Sequence, residues 1–136
     1  MPRHSFVETL KANDIILAPA AYDAMSARLI AQGGCPIVYL SGLANEASDL
    51  GLPDLGFTNA VEIVRRASTI ARVVEVPVVS DADTGFGGPI NVIRTVQEFE
   101  AAGVSAIHLE DQAFPKRCGL LAGKAVVAAD AFAKTI

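Results

Sequence analysis

Four short apolar runs alternate with longer amphipathic segments along this chain of 136 residues. The runs have the length of buried strands and cover residues 15–18, 36–41, 76–80 and 105–109. The segments between them show helical spacing of apolar residues and cover residues 22–32, 58–74 and 90–102. Strand–helix units repeated in this way predict a parallel sheet with right-handed crossovers. The chain is therefore expected to be an α/β protein.

Capping and turn residues mark the ends of these elements. We expect the glycine pair at 33–34 to end the first helix, in which Met25 and Leu29 share one face. Thr58 is expected to cap the second helix. The stretch 42–56 before that cap reads as a long loop, and long strand-to-helix loops are usually functional.

The composition indicates a folded, water-soluble domain. Hydrophobic residues make up 51% of the sequence and charged residues 19%, which argues against disorder. Every apolar run is shorter than the ~18 residues of a membrane span, and residues 1–5 lack the apolar core of a signal peptide. The formal net charge of −4, with scattered Lys and Arg, argues against nucleic acid as a partner. We expect a cytoplasmic protein in which Cys35 and Cys118 are reduced.

Acidic residues follow the third and fourth apolar runs. Asp81 and Asp83 come after the third run, and Glu110 comes after the fourth. Because side chains alternate between the faces of a strand, Ser41, Asp83 and Glu110 would gather at the carboxyl ends of neighbouring strands in an α/β barrel. Carboxylate oxygens in such a cluster suit Mg²⁺ or Mn²⁺. The alternative is that the two aspartates cap the following helix or shape the glycine-rich turn.

Cys118 lies in a basic segment with Lys116, Arg117 and Gly119. Two neighbouring cations would favour its thiolate, which fits an acid/base group or a nucleophile on a loop that closes over substrate. The alternative is an ordinary small residue in a loop. For His108, at the end of the fourth run, the alternatives are a core histidine and a polar contact with the site.

The number of strand–helix units is small for a closed barrel, which needs eight units and typically about 250 residues. This chain supplies four, and residues 129–136 look like a helix that has just begun. We therefore expect residues 1–136 to be the N-terminal half of a single barrel domain. The expected fold is a (β/α)8 TIM-barrel type truncated to about its first four βα units.

Five motifs occur in order along nearly the whole chain. They are YLSG at 39–42, GLPDLG at 51–56, DADTGFG at 81–87, HLEDQ at 108–112 and KRCG at 116–119. On these motifs the chain resembles the isocitrate lyase/phosphoenolpyruvate mutase superfamily, and most of all its 2-methylisocitrate lyase branch. The combination is specific for the superfamily and less specific for the substrate.

The resemblance implies an α/β barrel that binds a divalent metal and a small carboxylate substrate. It implies Mg²⁺ or Mn²⁺ held largely through water by Asp54, Asp81, Asp83 and Glu110. The substrate would be an α-oxo or 2-hydroxy carboxylate, and the residues implied to bind it are Tyr39, Ser41, Gly42, Leu43, Asp81 and Gly119. Full-length members of such a family would be homotetramers.

The resemblance also implies a carbon–carbon lyase. A 2-hydroxy di- or tricarboxylate of the 2-methylisocitrate or alkylmalate type would be cleaved to an α-keto acid and a carboxylate through an enolate-like intermediate. Cys118 would protonate the product, and Lys116 and Arg117 would assist with charge. Oxaloacetate decarboxylase, carboxyphosphonoenolpyruvate phosphonomutase and a catalytically inactive fragment are the alternatives. One departure is Leu120, where the lyases commonly place a histidine.

Overall fold

The computed structural model describes residues 5–136 and contains a four-stranded parallel sheet. Its strands, in spatial order, are β1 (Ala20–Ala21), β2 (Val38–Leu40), β3 (Val78–Asp81) and β4 (Ala106–His108). Tyr39 pairs with Ala20 and Val79 of the flanking strands, and Asp81 pairs with His108. Parallel strands in sequence order confirm the predicted α/β fold. The signal-peptide prediction rests on residues 1–5, of which residues 1–4 lie outside the described residues.

Helices flank and connect the strands. Within the described residues they are α1 (Phe6–Lys11), α2 (Ala24–Gln32), α3 (Gly42–Asp49), α4 (Ala60–Ala71), α5 (Pro89–Ala102) and α6 (Ala129–Ala133). α2 ends at Gly33 as predicted, and α5 ends at Gly103, whose φ of 84° favours glycine. None of the helices between residues 5 and 136 has the length and apolarity needed to cross a bilayer.

The prediction that residues 15–18 form a buried strand is wrong. Ile15 is 92% exposed and Leu17 is 71% exposed, and β1 begins later, at Ala20. β1 is an edge strand of the sheet, so the segment before it is not packed from its outer side. The prediction, which relied on the apolar run alone, therefore put the first strand a few residues too early in the sequence.

The prediction of a long loop over residues 42–56 is also wrong in its first half, because α3 forms there. The Ser41 hydroxyl caps α3 by accepting a hydrogen bond from the Ala44 N–H at 3.2 Å. The cap of α4 is Asn59 rather than Thr58, and its Oδ1 accepts hydrogen bonds from the first turn of the helix. Thr58 is buried and uses its backbone N–H in another contact, described below.

The two faces of the sheet have different roles. Val38, Leu40 and Val78 point towards the helices, where they form a core with residues such as Ile70 and Phe99. α2 joins this core through Ala27, while Met25 and Leu29, which were expected to share its apolar face, are exposed. The small side chain of Ala27 allows close packing on the sheet. The opposite face of the sheet, which would line the inside of a barrel, remains available for polar residues.

Candidate active site

Polar side chains gather at the carboxyl ends of β2, β3 and β4. Tyr39, Asp81 and His108 lie on the sheet face opposite the helices, as their strand register requires. Asp83 and Glu110 come directly after β3 and β4, and the Glu110 N–H donates to the Asp83 carbonyl at 2.8 Å. The backbone therefore brings Asp83 and Glu110 together at this edge, whereas the Ser41 hydroxyl, at the end of β2, caps α3.

Asp81 is held by backbone amides on both of its carboxylate oxygens. Oδ1 accepts a hydrogen bond from the Asp83 N–H at 3.0 Å, and Oδ2 accepts one from the Gly42 N–H at 3.3 Å. A Cβ atom at position 42 would lie 2.8 Å from Asp81 Oδ2, so any larger residue there would require this carboxylate to move. The Gly42 amide, which was expected to bind substrate, thus donates to Asp81 in this structure.

A buried ion-pair network joins two of the predicted metal ligands. Lys116 Nζ lies 2.6 Å from Asp54 Oδ1 and 2.5 Å from Asp83 Oδ1. Lys116 is only 2% exposed, and both aspartates are buried. Sequence analysis assigned Lys116 an assisting role but did not identify its two carboxylate partners, because they lie on loops that are far away along the chain.

Burial and neighbouring charges shift the pKa values in this network. Burial, with a smaller contribution from the negative charges of Asp81 and Asp54, raises the pKa of Asp83 to about 6 against the opposing effect of Lys116. Burial alone would lower the pKa of Lys116, but its hydrogen bonds to Asp54 and Asp83 outweigh that effect and raise the pKa above its ordinary value. The ammonium is therefore held in its charged form.

Tyr39 lies next to this cluster. Its hydroxyl is 3.2 Å from His108 Nδ1, so His108 makes the polar contact that the sequence left open. Burial raises the pKa of Tyr39, and the negative charges of Asp81, Glu110 and Asp83 raise it further. The phenol is therefore neutral and sits in a negative field.

The cluster fits a hard divalent cation that keeps part of its water shell. The carboxylates Asp54, Asp81, Asp83 and Glu110 outnumber the single buried ammonium of Lys116. Within the described residues, no three His, Cys, Asp or Glu side chains converge closely enough to surround an ion directly. Mg²⁺ usually takes one or two carboxylates and retains several waters, so an excess of acid without a closed cage suits it.

The segment 116–119 lies against this cluster. Cys118 is buried, and its N–H donates to the Asp54 carbonyl at 2.9 Å. Arg117 and Gly119 are exposed, as are Leu43 and Leu120. The structure thus brings Lys116 and Cys118 to the acidic residues and leaves Arg117 and Gly119 on the outside.

Two residues of the site were not identified by sequence analysis. Gln112 donates from Nε2 to Glu110 Oε2 at 2.8 Å and exchanges hydrogen bonds with the backbone of Arg117. Glu46 is buried on α3, inside the stretch that was predicted as a loop. Recognising Ser41 as a helix cap would have placed Glu46 on a helix, although its partners could not be inferred from the sequence.

A cavity of about 870 Å³ opens beside the cluster. Asp83 and Lys116 contribute to one part of its wall, and Val61, Phe86 and Phe114 supply apolar side chains elsewhere. The site therefore combines charged groups with adjacent apolar space of a size suited to a small ligand.

The family model for phosphoenolpyruvate phosphomutase matches residues 6–136, and the chain belongs to this family, the PEP mutase/isocitrate lyase superfamily. Among curated proteins, it is 48% identical over 120 residues to 2,3-dimethylmalate lyase of Eubacterium barkeri, covering 88% of this chain and 42% of the relative. It is 48% identical over 134 residues to probable 2-methylisocitrate lyase 2 of Corynebacterium glutamicum, covering 98% of this chain and 43% of the relative. The chain thus spans less than half the length of these curated relatives.

Solved structures agree with the family assignment. Oxaloacetate acetylhydrolase in complex with 3,3-difluorooxalacetate superposes with a TM-score of 0.88 at 39% identity, over 94% of this chain and 44% of that one. Phosphonopyruvate hydrolase in complex with oxalate and Mg²⁺ superposes with a TM-score of 0.82 at 32% identity, over 93% of this chain and 43% of that one. These matches confirm that the four units have the architecture of this family's barrels.

Proposed function

We propose that this chain carries the metal-binding and proton-donating part of a Mg²⁺-dependent carbon–carbon lyase. The proposed substrate is a 2-hydroxy di- or tricarboxylate of the 2-methylisocitrate or alkylmalate type. The observation that carries the proposal is the buried cluster of Asp54, Asp83 and Lys116, with Asp81 and Cys118 in hydrogen-bond contact with it. The identity to relatives named 2-methylisocitrate lyase and 2,3-dimethylmalate lyase supports the substrate class.

The residues proposed to hold Mg²⁺ or Mn²⁺ are Asp54, Asp81, Asp83 and Glu110. A bound divalent cation supplies positive charge that stabilises an enolate-like oxygen and anchors an α-oxo or 2-hydroxy carboxylate. Support comes from the excess of acid in the cluster and from the Mg²⁺ in the related phosphonopyruvate hydrolase. In this proposal the Lys116 ammonium balances part of the negative charge that would otherwise repel an anionic substrate.

The substrate carboxylate is proposed to bind near the start of α3. Gly42 and Leu43 form the first turn of this helix, where the helix dipole favours an anion, and the Leu43 N–H is the proposed donor because the Gly42 N–H donates to Asp81. Tyr39 and Ser41 line the same strand end, and a neutral Tyr39 hydroxyl would accept or donate without adding negative charge. Gly119 is proposed to close over the bound substrate from segment 116–119.

In the proposed reaction, the substrate hydroxyl loses its proton to solvent water, its carbon becomes the carbonyl of the α-keto acid, and the adjacent carbon–carbon bond breaks. The electron pair of that bond remains on the leaving carbon as an enolate. The Cys118 thiol then gives its proton to that carbon and becomes a thiolate. Lys116 and Arg117 are proposed to assist with charge, although only Lys116 is buried against the acids.

Oxaloacetate decarboxylase and carboxyphosphonoenolpyruvate phosphonomutase remain the alternative activities, and a non-catalytic chain is the alternative from outside the enzyme class. The segment KRCG resembles the lyases, which favours carbon–carbon cleavage over phosphoryl transfer. We further propose a cytoplasmic protein with a small carboxylate as its partner, and with neither nucleic acid nor a membrane. Homotetramer formation is proposed only for the full-length family member.

The direct test is Mg²⁺-dependent release of pyruvate from 2-methylisocitrate, with a panel that includes 2,3-dimethylmalate and oxaloacetate. Cys118→Ser should abolish release, and Cys35→Ser provides a matched control because Cys35 lies before β2, away from the acids. Release that is equal in Cys118→Ser and the parent chain would contradict the proton-donor role. Carbon dioxide from oxaloacetate, without cleavage of the 2-hydroxy acids, would support the decarboxylase instead.

A further inference from the structure

A buried glutamate supports the candidate site from α3. Glu46 is only 1% exposed. Its Oε2 accepts a hydrogen bond from the Leu55 N–H at 3.0 Å, and its Oε1 accepts one from the Thr58 N–H at 2.8 Å. Burying a carboxylate is costly unless hydrogen bonds satisfy it, and here both oxygens are satisfied by the same loop. Glu46 therefore holds that loop at two points.

The loop held by Glu46 carries Asp54, which in turn contacts the segment 116–119 at two points. Asp54 Oδ1 lies 2.6 Å from Lys116 Nζ, and the Asp54 carbonyl accepts a hydrogen bond from the Cys118 N–H at 2.9 Å. Contacts thus run without interruption from Glu46, through the Asp54 loop, to Lys116 and Cys118.

We propose that Glu46 is a positioning residue, which fixes Asp54 for metal binding and, through Asp54, fixes Cys118 beside the acidic cluster. The part concerning metal rests on the proposed function, whereas the part concerning Cys118 does not. Two backbone donors need two acceptor oxygens, and a carboxylate supplies both, whereas the amide nitrogen of glutamine only donates. Residues that support metal ligands in this way typically change metal affinity 10- to 100-fold when they are mutated.

The first test needs no metal. It measures the alkylation rates of Cys118 and Cys35 by mass spectrometry in the presence of EDTA, for the parent chain and Glu46→Gln. Loss of one buried hydrogen bond should expose Cys118 more often and raise its rate by about 2- to 10-fold, while Cys35 keeps its rate. An unchanged rate at Cys118, or an equal increase at both cysteines, would overturn the proposal.

The second test measures the dissociation constant of Mn²⁺ by electron paramagnetic resonance. Glu46→Gln should weaken binding by about 10-fold or more, and should add nothing in an Asp54→Asn background, because it acts through Asp54. Glu62→Gln is the matched control, since Glu62 also accepts a backbone N–H, from Asn59 at 2.9 Å, but is exposed.

The outcomes separate this inference from the proposed function. Weaker Mn²⁺ binding in Asp54→Asn with unchanged binding in Glu46→Gln would overturn the inference and leave the metal site standing. Unchanged binding in Asp54→Asn would contradict the metal site and the metal part of the inference together. If Glu46→Gln does not fold, Glu46→Asp replaces it, because Asp keeps both oxygens but is one methylene shorter, and the same directions are expected.

Discussion

The segment 116–120 has two sides that differ in burial, a buried side and an exposed outer side, although both belong to one stretch of sequence. Lys116 and Cys118 are buried and contact Asp54, one through its ammonium and the other through its backbone N–H. Arg117 and Gly119 are exposed, and Leu120 is 88% exposed. Adjacent residues of one motif therefore need not share a role, and the buried ones are those that the fold ties to the acidic cluster.

The largest expected difference between the two sides is in stability. Lys116→Met leaves Asp54 and Asp83 as buried carboxylates without their cation, and should lower the free energy of unfolding by about 3–5 kcal/mol. Arg117→Met, at an exposed position, should change it by less than about 0.5 kcal/mol. Urea denaturation in EDTA measures both values. Equal effects of the two substitutions would mean that the ion-pair network does not distinguish the two sides.

A smaller effect is expected from adding a methyl group at two glycines. Gly42→Ala places a Cβ atom 2.8 Å from Asp81 Oδ2, which forces that carboxylate to move and should cost about 1–3 kcal/mol. Gly119→Ala is the matched control, because no atom outside its immediate neighbours lies within 4 Å of the added carbon. Thermal denaturation tests the pair. A Gly42→Ala chain as stable as Gly119→Ala would show that Asp81 is not fixed at this position.

Gln112→Leu should loosen only the outer side of the segment. It removes the hydrogen bonds to Glu110 and to the Arg117 backbone, at a cost of about 1 kcal/mol. Hydrogen exchange should become faster at the Arg117 amide and stay slow at the Cys118 amide, which donates to Asp54. Faster exchange at both amides would show that the two sides open together.

The smallest effect is expected at Leu120. Leu120→His introduces the residue that the lyases commonly carry, at a position that is almost fully exposed. The free energy of unfolding should change by less than about 0.5 kcal/mol. A loss greater than 1 kcal/mol in urea denaturation would indicate that Leu120 packs against the protein in solution.

The sequence predicted much of the fold because its signals were local. Apolar runs located β2, β3 and β4, helical spacing located α4 and α5, and strand alternation placed Asp83 and Glu110 at one edge. The prediction of a buried strand at residues 15–18 was wrong because the burial of an apolar run depends on neighbouring elements, which the run itself does not reveal. α3 was not predicted because Gly42 and Gly51 are typical of loops, whereas the cap at Ser41 is a weaker local signal.

The contacts within the site could not be predicted in the same way. The partners of Lys116 lie on two other loops, so their pairing follows from the folded sheet and not from spacing along the chain. The burial of Glu46 could not be predicted, because a glutamate is usually exposed and its two partners, the backbone N–H groups of Leu55 and Thr58, are brought to it only by the fold. Sequence motifs thus indicated the residue types of the site, and the fold determined which of them meet.

The acids of this cluster are proposed to bind a divalent metal. The most direct measurement is a Mn²⁺ titration of the parent chain, Asp81→Asn and Asp83→Asn, with Asp49→Asn as the control for loss of one negative charge. Asp49 pairs with Arg66 on the surface, away from the sheet edge. We expect saturable binding by the parent chain and Asp49→Asn, and at least about 10-fold weaker binding by the other two. Equal affinity in all four chains, or no binding by the parent chain, would contradict the claim.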